Sequence, residues 1–558
     1  MQSQAPAGPP VAIDFRAVTD AGQPVLDLKA ADVTLKVNGK VRELREFKLV
    51  QFAGADQGSA PLPAAPPFGT NVVTEGRDIM ILVDEESIAP GKEPPVKAAM
   101  NMLMAKLGPR DRIGVLSLRQ GGVNVAPTTR RQAVTAAIAS LEGHALTSET
   151  PSDFTCRSRQ ALMTLQGVFT PQDTPARTFV FYSASLSTPT GADRMVTMGA
   201  SSGVCQLTMA QFDDFGAAVR ASRASLYVVH TLEAAPRIDP QALGAGLENV
   251  AGVSNSTILR MGSNAGPMMD TLERQTSAYY VASFDPEPSE RNGSTYRLEL
   301  RVARDGVKTH TRGEMIIPKP GAKTAVKAAD MIGVATTYNE LPLRGVGFPS
   351  RNPGDDKIRV LALFEPAEPG TTLNAAVVGL FDDKGKLRGK WTAQAAELAK
   401  PTVTASLVVP PGAYRMRIAA TDAEGRAGTV DYEVRAELTA AGPVKLSSLV
   451  MGLAQNGFTP KLLLTPAEEV LVGYFEAYGV PQGTALTATL ELAQTEDAPA
   501  MATAEAKVTQ ASAEDMRIIY GGFGVAGLKP GEYVMRAIVN VDGKPVGRLT
   551  RTLRRVDR

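Results

Sequence analysis

Five consecutive apolar residues, Ile79 to Val83, run straight into Asp84, Glu85, Glu86 and Ser87. A run with no polar face predicts a strand covered on both sides, as in a parallel sheet packed between helices. Ligands of such sheets lie outside the carboxyl ends of the strands, so the acids and hydroxyl after Val83 are the first candidates for a site.

The surroundings of this run support a doubly wound sheet over 77–275. Pro94-Pro95 opens a helix striped by Val96, Met100, Leu103 and Leu107, and Gly108-Pro109 ends it. RIGVLSL reads as a strand, Gly121-Gly122 as a tight turn and VNVAP as its antiparallel neighbour. Thr129 is placed to cap a helix carrying Val134, Ile138 and Leu141, closed by Gly143. A polar loop, HALTSETPSDFTC, then leads into a helix with Leu162, Leu165 and Phe169. TFVFYSAS and SLYVVHT are further buried strands, separated by a helix with Phe212, Phe215 and Val219; helices over 239–251 and 266–275 flank TILRM. Strands alternating with helices predict parallel pairing through crossovers.

Both flanks of this region read as β. VAIDFRAV, VTLKVNG and VRELREFKLV, with a hairpin signal at Asn38-Gly39, bury too little surface to stand alone. YYVASFD, YRLELRVAR and VKTHTRGEMII, after Ala278, supply the missing strands. The expected organisation is therefore multidomain α/β plus all-β. A β-sandwich is split between 11–52 and 278–317 and carries the α/β domain of 77–275 as an insert; 53–76 is a linker and 318–356 a connector. Two immunoglobulin-like sandwiches follow over 357–437 and 444–556, from their short strands and frequent turns. PPGAYRMR and KPGEYVMR look alike, either through a distant duplication or through one turn-and-strand solution reached twice.

Lys+Arg total 59 against 58 for Asp+Glu, a net charge of +1, which gives no field for nucleic acid or an anionic membrane. No apolar run reaches the roughly 20 residues of a membrane-spanning helix. The start MQSQAPAGPP lacks an apolar signal core and has the polar, Pro-containing character of a tail left by signal-peptide removal, so export is expected. Cys156 and Cys205 are the right number for one bridge; two unrelated thiols are the other reading.

The order RDIMILVD, helix, DRIGVLSL, GG turn, helix, TFVFYSAS, SLYVVHT resembles a von Willebrand factor A (VWA) domain with its single antiparallel edge hairpin. The flanks VTDAGQPVLDLKAADVTLKVNGKVRELREF and YYVASFDPEPSERNGSTYRLELRVARDGVKTHTR resemble the segments that bracket this domain in VWFA-related proteins of acidobacterial type, so the resemblance spans about 11–317. It implies an adhesion site in which DxSxS, a Thr from a later loop and an Asp after the fourth strand hold one divalent cation. Here Asp84 matches the first Asp, but Glu86 and Ile88 stand where the serines belong. The Thr has three candidates, Thr147, Thr150 and Thr155, and Ser183, Ser185 and Ser187 follow the fourth strand in place of an Asp.

Isoleucine cannot ligate a metal, so the resemblance points to a degenerate site without a cofactor. The alternative is Mg²⁺ or Ca²⁺ at a rearranged Asp84/Glu86 site. Without a cation, Asp84, Glu85, Glu86, Ser87, Ser183 and Ser185 would form a crevice whose anionic rim takes a basic partner side chain. The resemblance also places Cys156 in the loop of the family Thr and Cys205 in the long loop after TFVFYSAS, so a disulfide would staple both across the site and would need an oxidising compartment.

Little points to catalysis. His230 lies in an apolar strand, His310 alternates within a β segment, and only His144 falls near the crevice. GGFGVAG lacks the strand-to-helix setting of a phosphate loop, and the adjacent Glu85 and Glu86 point to opposite sides of an extended chain. The reading is thus an exported, non-enzymatic binding or assembly protein with protein partners, in an envelope or extracellular assembly. A metal-dependent adhesin using Asp84 and Glu86, and a hydrolase at the crevice, are the two alternatives.

Overall fold

The computed structural model describes residues 10–52, 67–72, 76–146, 148–169, 177–189, 205–232, 240–317, 319, 326–334, 337–454, 457–511 and 513–557. They fall into two compact units, one drawn from within 10–52 and 76–319, the other from 67–72, 326–333 and 337–557. Strand dominates, and most of the sheets are arranged as facing pairs.

In the first unit a six-stranded sheet runs in the order Thr257–Met261, Ala224–Thr231, Arg177–Ser183, Asp78–Val83, Arg112–Ser117 and Asn124–Thr128. All pairs are parallel except the last, the edge hairpin. Alternation along Asp78–Val83 divides the core between the two faces. Ile79, Ile81 and Val83 pack with the helices Pro94–Lys106, Arg131–Ala139 and Gly266–Thr276. Met80 and Leu82 pack with Pro151–Val168, Met209–Ala221 and Pro240–Ser254. Every residue of this strand is buried, and after Asp78 at its start it carries no polar position.

Two helix starts differ from expectation. Arg130, not Thr129, occupies the cap of Arg131–Ala139. The helix expected to follow a polar loop through Cys156 already begins at Pro151, because Thr150 and Asp153 form a reciprocal capping box and Pro151 suits the first helical position.

The strands before and after this region pair with each other. One sheet orders Val307–Thr311, Val11–Thr19, Ala278–Phe284 and Glu46–Gln51; the other orders Glu314–Ile316, Thr295–Val302, Val33–Val37 and Lys40–Arg42. Phe15, Leu35, Tyr280, Phe284 and Leu298 share their core. Ala278 lies opposite Gln51, so the chain leaves this pair of sheets and returns to it on neighbouring strands. Asn38 and Gly39 take φ of +47° and +79°, the backbone that a tight hairpin needs. The stretch read as one strand, VKTHTRGEMII, breaks at Arg312-Gly313, and its two halves join different sheets.

The second unit holds two further facing pairs. The first pairs the sheet Val403–Val409, Ile358–Pro366, Leu343–Arg351, Gly69–Thr70 with the sheet Leu387–Thr392, Leu373–Phe381, Gly412–Asp422, Ala427–Ala436. Two expected boundaries move here. Leu343–Arg351 falls in the expected connector, and Gly69–Thr70 in the expected linker, yet both are sheet strands. Gly345 and Gly347 make the former look like a loop in sequence. Side chains added there would collide with Ile418 and Val434, so these glycines mark close packing of one sheet on the other.

The last pair joins a seven-stranded sheet to the sheet Ala500–Glu505, Leu486–Ala493, Gly531–Val541, Lys544–Arg555, and it begins at Thr439–Ala441, slightly before the expected 444. The two similar octapeptides occupy equivalent places, each opening the third strand of a four-stranded sheet. Tyr414 Oη donates to the carbonyl of Pro410 and Tyr533 Oη to that of Lys529, both at 2.8 Å and four residues back. Each strand also carries a buried arginine three residues later, Arg417 paired with Asp431 and Arg536 with Glu491.

Candidate functional site

At the end of the organising strand, Asp84 N donates to the carbonyl of Tyr182, and the chain turns through Glu85–Ser87 in a single 3₁₀ turn. The turn sends its side chains in different directions. Ser87 Oγ donates to the Asp84 carbonyl at 2.8 Å and accepts from Ala184 N at 2.9 Å, tying two strand ends together. Ser183 Oγ, 3.1 Å from Ser87 Oγ, donates to Asp84 Oδ2 at 2.9 Å. Glu85 faces away from this group; its carboxylate accepts from Ser117 Oγ and from Glu142 N, so it fixes the end of the neighbouring strand and the 142–144 loop.

The charge facing Asp84 comes from Arg157, which the sequence reading did not single out. Its guanidinium forks onto Glu149, with Nε to Oε1 at 2.8 Å and Nη2 to Oε2 at 3.2 Å. The same group lies 3.7 Å from Asp84 Oδ2 and donates from Nη2 to Ser185 Oγ at 3.1 Å. Phe154 lies beneath it at 5.1 Å. Side-chain exposures of 9 %, 2 % and 3 % for Arg157, Asp84 and Glu149 make this a buried ion triad. Burial pushes the Asp84 carboxyl above its usual range, against the opposing pull of Arg157 and of the Ser183 and Ser87 hydroxyls. Burial also works against the charged guanidinium, but the Glu149 hydrogen bonds and the charges of Asp84, Glu149 and Glu86 outweigh it and hold Arg157 above its ordinary value.

This geometry corrects the expected crevice. Asp84, Glu85, Ser87, Ser183 and Ser185 all lie at one sheet edge, but each is at least 96 % buried; the polar atoms of Asp84 and the serines are spent on one another and on Arg157, and those of Glu85 on Ser117 and the Glu142 N–H. Glu86 alone among the six is partly exposed. Among the described residues there is no open anionic rim, because the positive charge it would have recruited is built into the helix Pro151–Val168. Two of the candidate threonines are engaged elsewhere, Thr150 in capping its helix through Asp153 and Thr155 Oγ1 in donating to the Pro151 carbonyl; the third, Thr147, lies outside the described residues.

Cys156 and Cys205 are bonded, with Cα atoms 5.0 Å apart. Cys156 sits on the helix rather than in a loop, one residue before Arg157, so the bridge ties the segment that carries the guanidinium to the chain entering Met209–Ala221. The Thr150-x-x-Asp153 capping signature was the available sequence clue: it places Arg157 on the first turns of a helix that starts at the carboxyl edge.

For catalysis, Ser183 and Ser87 are fully buried. His230 Nε2 lies 3.1 Å from the Ala184 carbonyl, and burial holds this imidazole below its usual pKa. His144 contributes its backbone N–H to Glu85 O, and His310 lies on the distant strand Val307–Thr311. Among the described residues, no group of three or more His, Cys, Asp or Glu is clustered for a metal. No described helix is long and apolar enough to cross a membrane.

No family model and no curated protein matches the chain. Among solved structures, the pilus adhesin SpaC of Lactobacillus rhamnosus GG aligns over 97 % of this chain and 100 % of its own, at 8 % identity and a TM-score of 0.26. Its open conformation aligns over 97 % and 92 %, at 8 % identity and a TM-score of 0.25. Dimeric latent PorU of Porphyromonas gingivalis covers 50 % of this chain and 26 % of its own, at 12 % identity and a TM-score of 0.21. Overlaps this weak carry no inference about function.

Proposed function

We propose that the protein is an exported, non-enzymatic binding or assembly component, built from a VWA-like domain inserted in a split β-sandwich and followed by two immunoglobulin-like sandwiches. The observation that carries this reading is Arg157. In a VWA-like site a divalent cation would supply positive charge beside Asp84; here a guanidinium supplies it, bonded to Glu149 and Ser185. The residues present do not fit a cation. A divalent ion about 4 Å from the guanidinium would meet a repulsion of roughly 8 kcal/mol at an effective dielectric of about 20, which cancels the attraction of one carboxylate at the same distance, while Arg157 already neutralises Asp84 and Glu149 in part. Recognition then falls to loop and sandwich surfaces rather than to a partner carboxylate on a metal. The disulfide supports an oxidising compartment.

The test is the native mass of the protein in gently solubilised envelope from its source, with neighbours identified by crosslinking and the measurement repeated with chelator. A discrete complex that survives chelation is expected. One that falls apart with chelator would return the site to metal-dependent adhesion, and a lone monomer would remove the assembly reading.

A further inference from the structure

At the opposite end of the six-stranded sheet, where its strands begin, the first unit holds a half-open cavity of roughly 80 Å³ against the sheet that contains Val11–Thr19 and Ala278–Phe284. Five arginines line it, Arg16, Arg77, Arg220, Arg223 and Arg312, against two acids, Asp14 and Asp78. Most of these cations have evident structural work. Arg77 pairs with Asp111 at 2.8 Å, Arg220 with Glu314 at 2.9 Å and Arg223 with both oxygens of Asp14; Arg312 donates to the Ala12 carbonyl at 3.0 Å.

Arg16 differs from the others. Its Nη1 donates to the neutral Tyr227 hydroxyl at 2.5 Å, and among the described residues no carboxylate lies within ion-pair distance of it. Its other N–H groups are donors without an anion. One further group on the wall is unmatched among the described residues, the Tyr279 hydroxyl, which makes no hydrogen bond to protein. Asp78 Oδ1 also lacks a donor, but it is buried out of reach of the cavity, its other oxygen standing 3.6 Å from Arg177 Nε. A cavity that presents a guanidinium without a carboxylate beside a free phenol is complementary to an oxyanion.

We propose that this cavity binds a small oxyanion. Its carboxylate or phosphate group is held by the Arg16 guanidinium and the Tyr279 hydroxyl. The size of the cavity restricts the ligand to an anionic head and a few carbons. The site is independent of the Asp84 region and of the function proposed above.

Titration calorimetry on the full chain tests this, with inorganic phosphate, glycerol 3-phosphate, lactate and glucuronate as probes and glucose as the uncharged control. Saturable binding of at least one anion is expected, and which of them binds separates a phosphate from a carboxylate ligand. Arg16→Gln weakens it by roughly tenfold or more, and Tyr279→Phe, which keeps the ring and removes only the hydroxyl, weakens it severalfold. Arg16→Lys guards against a folding defect in the Gln variant by keeping the charge and retaining part of the affinity. No saturable binding by any anion, equal binding of glucose, or affinity unchanged in both Arg16→Gln and Tyr279→Phe would overturn the proposal.

Discussion

Replacing Arg157 with Met keeps an unbranched side chain of similar length and removes the cation that faces both Asp84 and Glu149 in the buried triad. Breaking a buried pair from one side costs about 3–5 kcal/mol, because the remaining charges keep their desolvation penalty and lose their partner. In a cooperative unit of about 200 residues each kcal/mol lowers Tm by about 2–4 °C, so a fall of roughly 10 °C is expected. The pH dependence has a definite sign. Burial already raises the folded pKa of Asp84 above its unfolded value near 3.8, so stability from this group is full below that pH and declines as pH rises toward the folded pKa. Removing Arg157 raises the folded pKa further and widens that window, so Arg157→Met loses least near pH 4 and most at neutral pH. Urea unfolding at several pH values measures this, and Arg157→Met with Asp84→Asn recovers part of the loss at neutral pH. A neutral-pH loss under about 1 kcal/mol, or one independent of pH, would refute the triad as a coupled buried unit.

Three further outcomes are expected. Serine at Cys156 or Cys205 opens a loop with a sequence separation of 49 and costs about 4 kcal/mol on the chain-entropy account, read as a lower urea midpoint that added reductant no longer shifts. Tyr414→Phe and Tyr533→Phe each cost about 1 kcal/mol in calorimetric unfolding, since each removes one hydrogen bond to a carbonyl four residues back; a loss at only one of them would argue against equivalent corners. Gly347→Ala drives a methyl against Val434, Val360 and Met416 and costs about 1–3 kcal/mol, where an exposed connector glycine would tolerate the change.

Much of the architecture was determined by local sequence. The unbroken apolar run Ile79–Val83 can only be a strand covered on both faces, and alternation in Thr295–Val302 and its neighbours can only place one face inward. The hairpin at Asn38-Gly39 follows from the same short-range physics, because its positive φ values suit few other pairs. Other features depended on contacts distant in sequence. Gly345 and Gly347 read as loop residues until Ile418 and Val434 arrive from the facing sheet and fill the space a side chain would need. The acids after Val83 read as an open crevice because nothing local shows that Arg157, more than seventy residues later, folds back between Asp84 and Glu149. Pattern and turn chemistry are written into neighbouring residues, whereas the partner of a buried charge is chosen by whichever side chain the completed fold brings within reach.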